Sequence, residues 1–143
     1  MHEVFLKKAI DIAYKGKYLT KPNPMVGCVI VKDNKVIADG YHMKYGSNHA
    51  EINALENLNK NNDISEKELR QLTLYCTLEP CCHHGKTGPC TDAIIKSGIK
   101  KVVIGIKDPN PKVSGSGIQQ LEDNGIEVLS GFFEEELIEL NKH

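Results

Sequence analysis

Strand-like and helix-like segments alternate along the second half of the chain, and this alternation is the strongest constraint on its fold. Three segments rich in β-branched and aliphatic residues predict strands, and two segments between them predict helices. The predicted strands are 72–77, 101–106 and 126–129, and the predicted helices are 91–97 and 117–124. Gly98 and Gly125 follow the two helices and predict left-handed C-terminal caps. This order favours a three-layer α/β/α domain with partly parallel strands and helices on both faces.

The first half of the chain adds further elements to this pattern. Phe5, Ala9, Ile12 and Ala13 recur with helical spacing and predict an amphipathic surface helix. The predicted elements are a helix at 3–17, a hairpin of strands at 26–31 and 36–41, a helix at 49–58, a loop at 59–63 and a final acidic helix at 133–140. We therefore expect a central mixed sheet of about five strands.

Composition and charge narrow the class of protein. The chain has 143 residues, of which 40% are hydrophobic and 26% charged, so we expect residues 1–143 to form a single globular domain. The 18 basic and 19 acidic side chains nearly cancel, so no net field favours nucleic acid as a partner. No apolar run reaches the roughly 18 residues of a membrane span, and residues 1–7 do not resemble a signal peptide. We therefore expect a cytoplasmic protein without a membrane partner.

Cysteines cluster in one part of the chain. Four of the five, Cys76, Cys81, Cys82 and Cys90, lie within fifteen positions. In a reducing compartment such crowding indicates a metal or catalytic site more often than a disulfide framework. Cys28 and Cys76 lie in predicted strands, and we expect both to be core residues.

His49, Cys81 and Cys90 together supply one imidazole and two thiolates, a donor set that suits Zn²⁺ with a fourth position left open for water. Glu51 lies two residues after His49, where a carboxylate can exchange protons with a water whose pKa zinc lowers to about 7. This combination predicts hydrolytic deamination. The alternative is a closed structural zinc site, because further donors lie in the same loop. These donors are Cys82, His83 and His84.

A His-x-Glu pattern followed by a strand and a Pro-Cys pair is a known signature of zinc nucleobase deaminases. The sequence resembles the cytidine deaminase-like superfamily and, within it, the deaminase domain of the bifunctional riboflavin-biosynthesis proteins. The specific feature is the gap of nine positions between Cys81 and Cys90, longer than in most of the superfamily. The other matching motifs are Asn23-Pro24-x-Val26-Gly27, Thr77-Leu78-Glu79-Pro80, Thr91-Asp92-Ala93-Ile94 and Asp108-Pro109-Asn110-Pro111.

This resemblance implies a cytidine deaminase-like fold, Zn²⁺ held by His49, Cys81 and Cys90, and Glu51 as general acid and base. The implied substrate is 2,5-diamino-6-ribosylamino-4(3H)-pyrimidinone 5′-phosphate. The residues that it places around this substrate are Asn23, His42, Lys86, Thr87, Asp108 and Asn110. The sequence departs from the family at Cys82, where serine is usual, and at Gly88, where proline is usual.

Other functions and several partners also follow from these patterns. The alternatives are a deaminase of cytidine, guanine or tRNA adenosine, and a zinc module without catalytic activity. The family's usual polypeptide continues into a reductase domain that this sequence lacks, so the chain is either a natural single-domain deaminase or part of a bifunctional one. The resemblance implies a homo-oligomer and, as a further partner, a reductase domain or protein.

Overall fold

The computed structural model describes residues 2–16, 25–43, 48–61, 64–81, 90–108, 111 and 114–140. The strands are β1 (Gly27–Lys32), β2 (Lys35–Tyr41), β3 (Thr73–Leu78), β4 (Lys101–Ile106) and β5 (Glu127–Leu129). The helices are α1 (His2–Ala13), α2 (Ala50–Asn61), α3 (Glu66–Leu69), α4 (Cys90–Ser97), α5 (Ser116–Asp123) and α6 (Glu134–Leu140), and a 3₁₀ turn (Tyr14–Gly16) follows α1. None of the helices in these ranges has the length and apolar character that a bilayer crossing requires.

The five strands form one mixed sheet, as the sequence predicts, and the structure shows that their order is β2-β1-β3-β4-β5. β1 runs antiparallel to both β2 and β3, whereas β3, β4 and β5 are parallel to one another. A two-residue turn joins β1 to β2, and its residues Asp33 and Asn34 have φ values of 50° and 64°. Asparagine and aspartate tolerate this left-handed backbone, so the turn residues suit the hairpin.

Helices cover both faces of the sheet because alternate strand residues point in opposite directions. On one face α2, α4 and α5 bury a core that includes Cys28, Ile30 and Cys76. On the other face α1 packs on Val29 and Tyr75, while Leu137 of α6 packs beside α1. The prediction that Cys28 and Cys76 are core residues is therefore confirmed, since both are fully buried.

Two local predictions need correction. The predicted loop at 59–63 is wrong at its start, because α2 continues to Asn61 and buries Leu58; residues 62 and 63 lie outside the described part of the chain. The short helix α3 was not predicted, although Ser65 and Glu68 form a hydrogen-bonded N-terminal cap that is visible as a Ser-x-x-Glu pattern. By contrast, Gly98 and Gly125 have φ values of 90° and 81°, as the predicted left-handed caps require.

Three predicted site residues follow strands whose carboxyl ends lie at the same edge of the sheet. β2, β3 and β4 all point the same way, so their carboxyl ends meet at this edge. His42 follows β2, Cys81 comes shortly after β3, and Asp108 lies two residues beyond β4. Ligand sites in α/β proteins commonly lie at this edge.

Candidate metal centre

The three predicted zinc ligands occupy the starts of two helices and the end of one strand. His49 immediately precedes α2, Cys90 is the first residue of α4, and Cys81 lies three residues beyond β3. Cys90 is fully buried and the other two are partly buried. The segments that carry them are thus held by the sheet and by two helices that pack against each other.

The side chains of these three residues converge. The Nδ1 atom of His49 lies 3.2 Å from Cys90 Sγ and 3.6 Å from Cys81 Sγ, and all three donor atoms lie within 4.8 Å of one another. Nitrogen and sulfur ligands on one tetrahedral zinc ion are about 3.6 Å apart, given the usual Zn–N and Zn–S bond lengths. His49, Cys81 and Cys90 therefore fit a single Zn²⁺ ion.

Hydrogen bonds within the cluster shift the pKa values of its three side chains in different directions. The hydrogen bond between the two cysteine side chains lowers the pKa of Cys81 and raises the pKa of Cys90. The backbone N–H of Cys90 also donates to Cys81 Sγ over 3.4 Å. The hydrogen bond to Cys81 raises the pKa of His49 against the opposing effect of burial. The cluster thus favours a thiolate at Cys81, the form in which cysteine ligates zinc.

Glu51 lies next to this cluster without belonging to it. It occupies the first turn of α2 and is only 3% exposed. Burial raises its pKa to about 7, and the carboxylate interacts electrostatically with Cys81 and His49. A hydrogen bond from the Cys76 thiol acts in the opposite direction and favours the charged form. A buried carboxylate in this place can exchange protons with a molecule held at the metal.

His42 and Asn53 form hydrogen bonds with the backbone of Asn48, just before α2. His42 is 2% exposed, its Nδ1 lies 3.1 Å from the carbonyl oxygen of Asn48, and its ring stands perpendicular to that of His49 at 5.3 Å. Burial lowers the pKa of His42. Asn53 donates to the carbonyl oxygens of Tyr41 and Asn48. The sequence contains no signal for this role of Asn53, because an asparagine within a helix is usually just a solvated residue.

The predicted substrate residues are only partly described. His42 and Asp108 both lie at the carboxyl edge of the sheet, where the cluster is also located. The remaining predicted substrate residues lie outside the described part of the chain; they are Asn23, Lys86, Thr87 and Asn110. Cys82, His83, His84 and Gly88 lie there too. The roles assigned to all ten site residues therefore stay predictions.

Comparison with known proteins agrees with this geometry. Residues 1–106 match the family model described as the cytidine and deoxycytidylate deaminase zinc-binding region. A three-layer α/β/α fold with a His/Cys/Cys cluster and a buried glutamate beside it defines the class of zinc-binding deaminase domains. The predicted fold class and the predicted zinc cofactor are both confirmed.

The relatives narrow this class to one family. Diaminohydroxyphosphoribosylamino-pyrimidine deaminase of Buchnera aphidicola subsp. Schizaphis graminum is 49% identical over 138 residues, which make up 96% of this chain and 89% of that protein. The chain belongs to this deaminase family, as the resemblance implied.

Longer proteins contain the same unit. Riboflavin biosynthesis protein RibD of Actinobacillus pleuropneumoniae is 49% identical to this chain over 137 residues. The match covers 96% of this chain but only 35% of the Actinobacillus protein. The Thermotoga maritima crystal structure of a diaminohydroxyphosphoribosylaminopyrimidine deaminase/5-amino-6-(5-phosphoribosylamino)uracil reductase matches with a TM-score of 0.88 and 52% identity. That match covers 97% of this chain and 38% of the Thermotoga chain. Such relatives are about three times as long as the region they share with this chain.

Proposed function

We propose that this chain catalyses the hydrolytic deamination of 2,5-diamino-6-ribosylamino-4(3H)-pyrimidinone 5′-phosphate. The products are 5-amino-6-ribosylaminouracil 5′-phosphate and ammonia. The observation that carries the proposal is the buried carboxylate of Glu51 next to the converging side chains of His49, Cys81 and Cys90. The substrate is supported by the name of the Buchnera relative, because this chain spans nearly the whole of that protein.

Each part of the site has a distinct task in this reaction. His49, Cys81 and Cys90 would hold a zinc ion, which would make a water molecule acidic enough to lose a proton near neutral pH. Glu51 takes a proton from the attacking water as the new C–O bond forms at the ring carbon. It then donates a proton to the amino nitrogen as the C–N bond breaks. One water is consumed and one ammonia released, so atoms and charges balance.

Ammonia release by purified, zinc-loaded protein tests the proposal. The pyrimidine nucleotide is compared with cytidine, guanine and a tRNA anticodon stem, because these substrates represent the alternative deaminases. We expect release from the pyrimidine nucleotide alone. Ammonia release only from one of the other substrates would be consistent with the zinc mechanism but would refute the proposed substrate. If the zinc-loaded protein releases ammonia from none of the four substrates, the result would favour a zinc module without catalytic activity.

Glu51→Gln tests the assigned proton transfer. The amide is nearly isosteric but cannot accept the proton, so we expect turnover to fall at least about 100-fold while bound zinc is unchanged. Glu139→Gln is the matched control, because Glu139 is exposed on α6 at the opposite face of the sheet. Activity retained in Glu51→Gln would refute the role of Glu51. Loss of zinc in that variant would instead show that Glu51 supports the metal directly.

Three expectations about the wider protein accompany this proposal. A reductase domain or a separate reductase would act on the product, which is supported by the combined name of the Thermotoga structure. We also expect a single domain over residues 1–143 and a homo-oligomer in the cytoplasm. Light scattering of the purified protein tests the oligomer, and a single cooperative unfolding transition tests the domain.

A further inference from the structure

Glu79 is a buried acidic residue that the proposed mechanism does not use. It lies directly after β3, is 5% exposed, and accepts three hydrogen bonds from backbone N–H groups of the described residues. Its Oε1 atom accepts from Asp108 and from Gly115, each over 2.9 Å, and its Oε2 atom accepts from Ile118 over 3.1 Å. These donors together satisfy both oxygens of the buried carboxylate.

Two of these hydrogen bonds cap α5 from another part of the chain. The N-cap residue of α5 is Gly115, which has no side chain with which to cap the helix. Ile118 is the third residue of the helix, and its N–H is the group that an N-cap side chain ordinarily satisfies. Glu79 supplies the missing acceptor, and its negative charge lies at the positive end of the helix dipole.

The same carboxylate joins the metal segment to a predicted substrate residue. Glu79 is two residues before the ligand Cys81, and its own N–H donates to the carbonyl oxygen of Ile106 at the end of β4. Its Oε1 atom holds the N–H of Asp108, two residues further along. The start of α5 also approaches closely, since a Cβ atom on Gly117 would lie 2.2 Å from the carbonyl oxygen of Pro80. One side chain thus connects three segments at the carboxyl edge of the sheet.

We propose that Glu79 is a positioning residue that sets the place of Asp108 relative to the zinc ligands. Among the described residues it accepts its hydrogen bonds from backbone N–H groups outside the metal cluster, and it acts through the backbone of the Asp108 segment. The inference rests on the proposed function, because it assumes that Asp108 contacts the substrate. Substrate affinity should therefore depend on Glu79, whereas zinc binding should not.

Glu79→Gln is the first test, because the amide keeps the shape of the side chain but offers only one acceptor oxygen. At least one of the three N–H groups then loses its partner and faces an NH₂ group instead. We expect kcat/KM for the pyrimidine nucleotide to fall about ten- to hundredfold, mainly through a higher KM, with zinc content unchanged. An unchanged KM would overturn the proposal, and so would loss of zinc.

Gln120→Ala is the matched control for a general loss of stability in α5. Gln120 accepts a hydrogen bond from Thr91 over 2.6 Å and donates one to Asp92, so these bonds link the same helix to α4 and not to the segment of Asp108. We expect this variant to lower the melting temperature while leaving KM within about twofold of the wild type. A similar rise of KM in Gln120→Ala would show that Glu79 acts only through stability.

A double-mutant cycle with Asp108→Ala tests whether Glu79 acts through Asp108. If it does, Glu79→Gln should raise KM much less in the Asp108→Ala background than in the wild type. Fully additive effects would overturn the proposal. If Glu79→Gln does not fold, Glu79→Asp takes its place in the cycle, because a side chain one methylene shorter cannot keep all three hydrogen bonds.

Amide hydrogen exchange separates this inference from the proposed function, because it requires no turnover. In the wild type the amides of Asp108, Gly115 and Ile118 should be protected, and Glu79→Gln should reduce their protection. Unchanged protection would overturn the inference whatever the kinetics. A wild-type protein that is protected at these amides but releases no ammonia would refute the proposed function, and with it the predicted effect of Glu79 on substrate affinity.

Discussion

Gly40 lies in β2 beneath the first turns of α2 and leaves no room for a side chain. A Cβ atom on Gly40 would lie 2.4 Å from the backbone nitrogen of Ala54 and 2.6 Å from the carbonyl oxygen of Ala50. Ordinary contacts between such atoms are about 3.5 Å, so Gly40→Ala requires α2 to move by about 1 Å. The obstructing atoms are helix backbone, which cannot turn aside as the end of a flexible side chain can.

This displacement acts directly on the site, because Glu51 lies in the affected turn and His49 just before it. A misplacement of about 1 Å can reduce turnover about 100-fold. Overpacking of this kind also costs about 1–3 kcal/mol in the free energy of unfolding. For Gly40→Ala we therefore expect kcat/KM for the pyrimidine nucleotide to fall about 100-fold in protein that remains folded at 25 °C.

Gly27→Ala is the matched control, because it makes the same kind of clash on the opposite face of the sheet. Its Cβ atom would lie 1.9 Å from the carbonyl oxygen of Ala9 in α1, far closer than a normal contact. Urea unfolding should show a loss of stability similar to that of Gly40→Ala, with a clearly smaller loss of kcat/KM. Wild-type activity in Gly40→Ala, or an equal loss in both variants, would refute the reasoning.

Two further predictions concern the core. Leu137 of α6 is fully buried, and its Cδ1 atom occupies the space beside Gly105, so Leu137→Ala should lower the free energy of unfolding by about 2–5 kcal/mol in urea titrations; a loss below about 1 kcal/mol would contradict this packing. Cys28 and Cys76 are fully buried, and burial raises the pKa of each thiol, so the reactive thiolate should be scarce even at pH 8. We expect both thiols to resist a disulfide-exchange reagent until urea unfolds the chain, and mass spectrometry of labelled peptides would measure this. Rapid labelling of either cysteine in the folded protein would disprove the prediction.

The elements that the sequence predicted well are those with strong local signals. β4 has the predicted bounds, because a run of valine and isoleucine residues between Lys101 and Lys107 favours a buried strand in almost any context. The left-handed backbone at Gly98 and Gly125 was equally predictable, since glycine adopts it without a steric penalty. The end of α2 was not, because the burial of Leu58 against the sheet outweighs the weak helix propensity of the asparagines that follow.

The candidate site also contains residues that could be predicted from the sequence and residues whose role could not. His49, Glu51, Cys81 and Cys90 could be named from residue type and spacing, because zinc chemistry accepts few donor atoms and the motif holds them at fixed intervals. Glu79 belongs to the motif Thr77-Leu78-Glu79-Pro80, but nothing in the sequence assigns it a role. Its three hydrogen-bond donors are 29, 36 and 39 residues away along the chain.

The sequence by itself thus predicted the class of fold, a donor set that suits zinc and the carboxylate that we propose moves protons. Side-chain chemistry and short-range spacing carry this information, and both can be read along the chain. Only the tertiary structure decided that His49, Cys81 and Cys90 converge within 4.8 Å, that Glu51 is buried beside them, and that Glu79 ties Asp108 and α5 to the metal segment. Convergence and burial depend on how the strands are ordered and how closely the helices pack on them, and no local pattern encodes those distances.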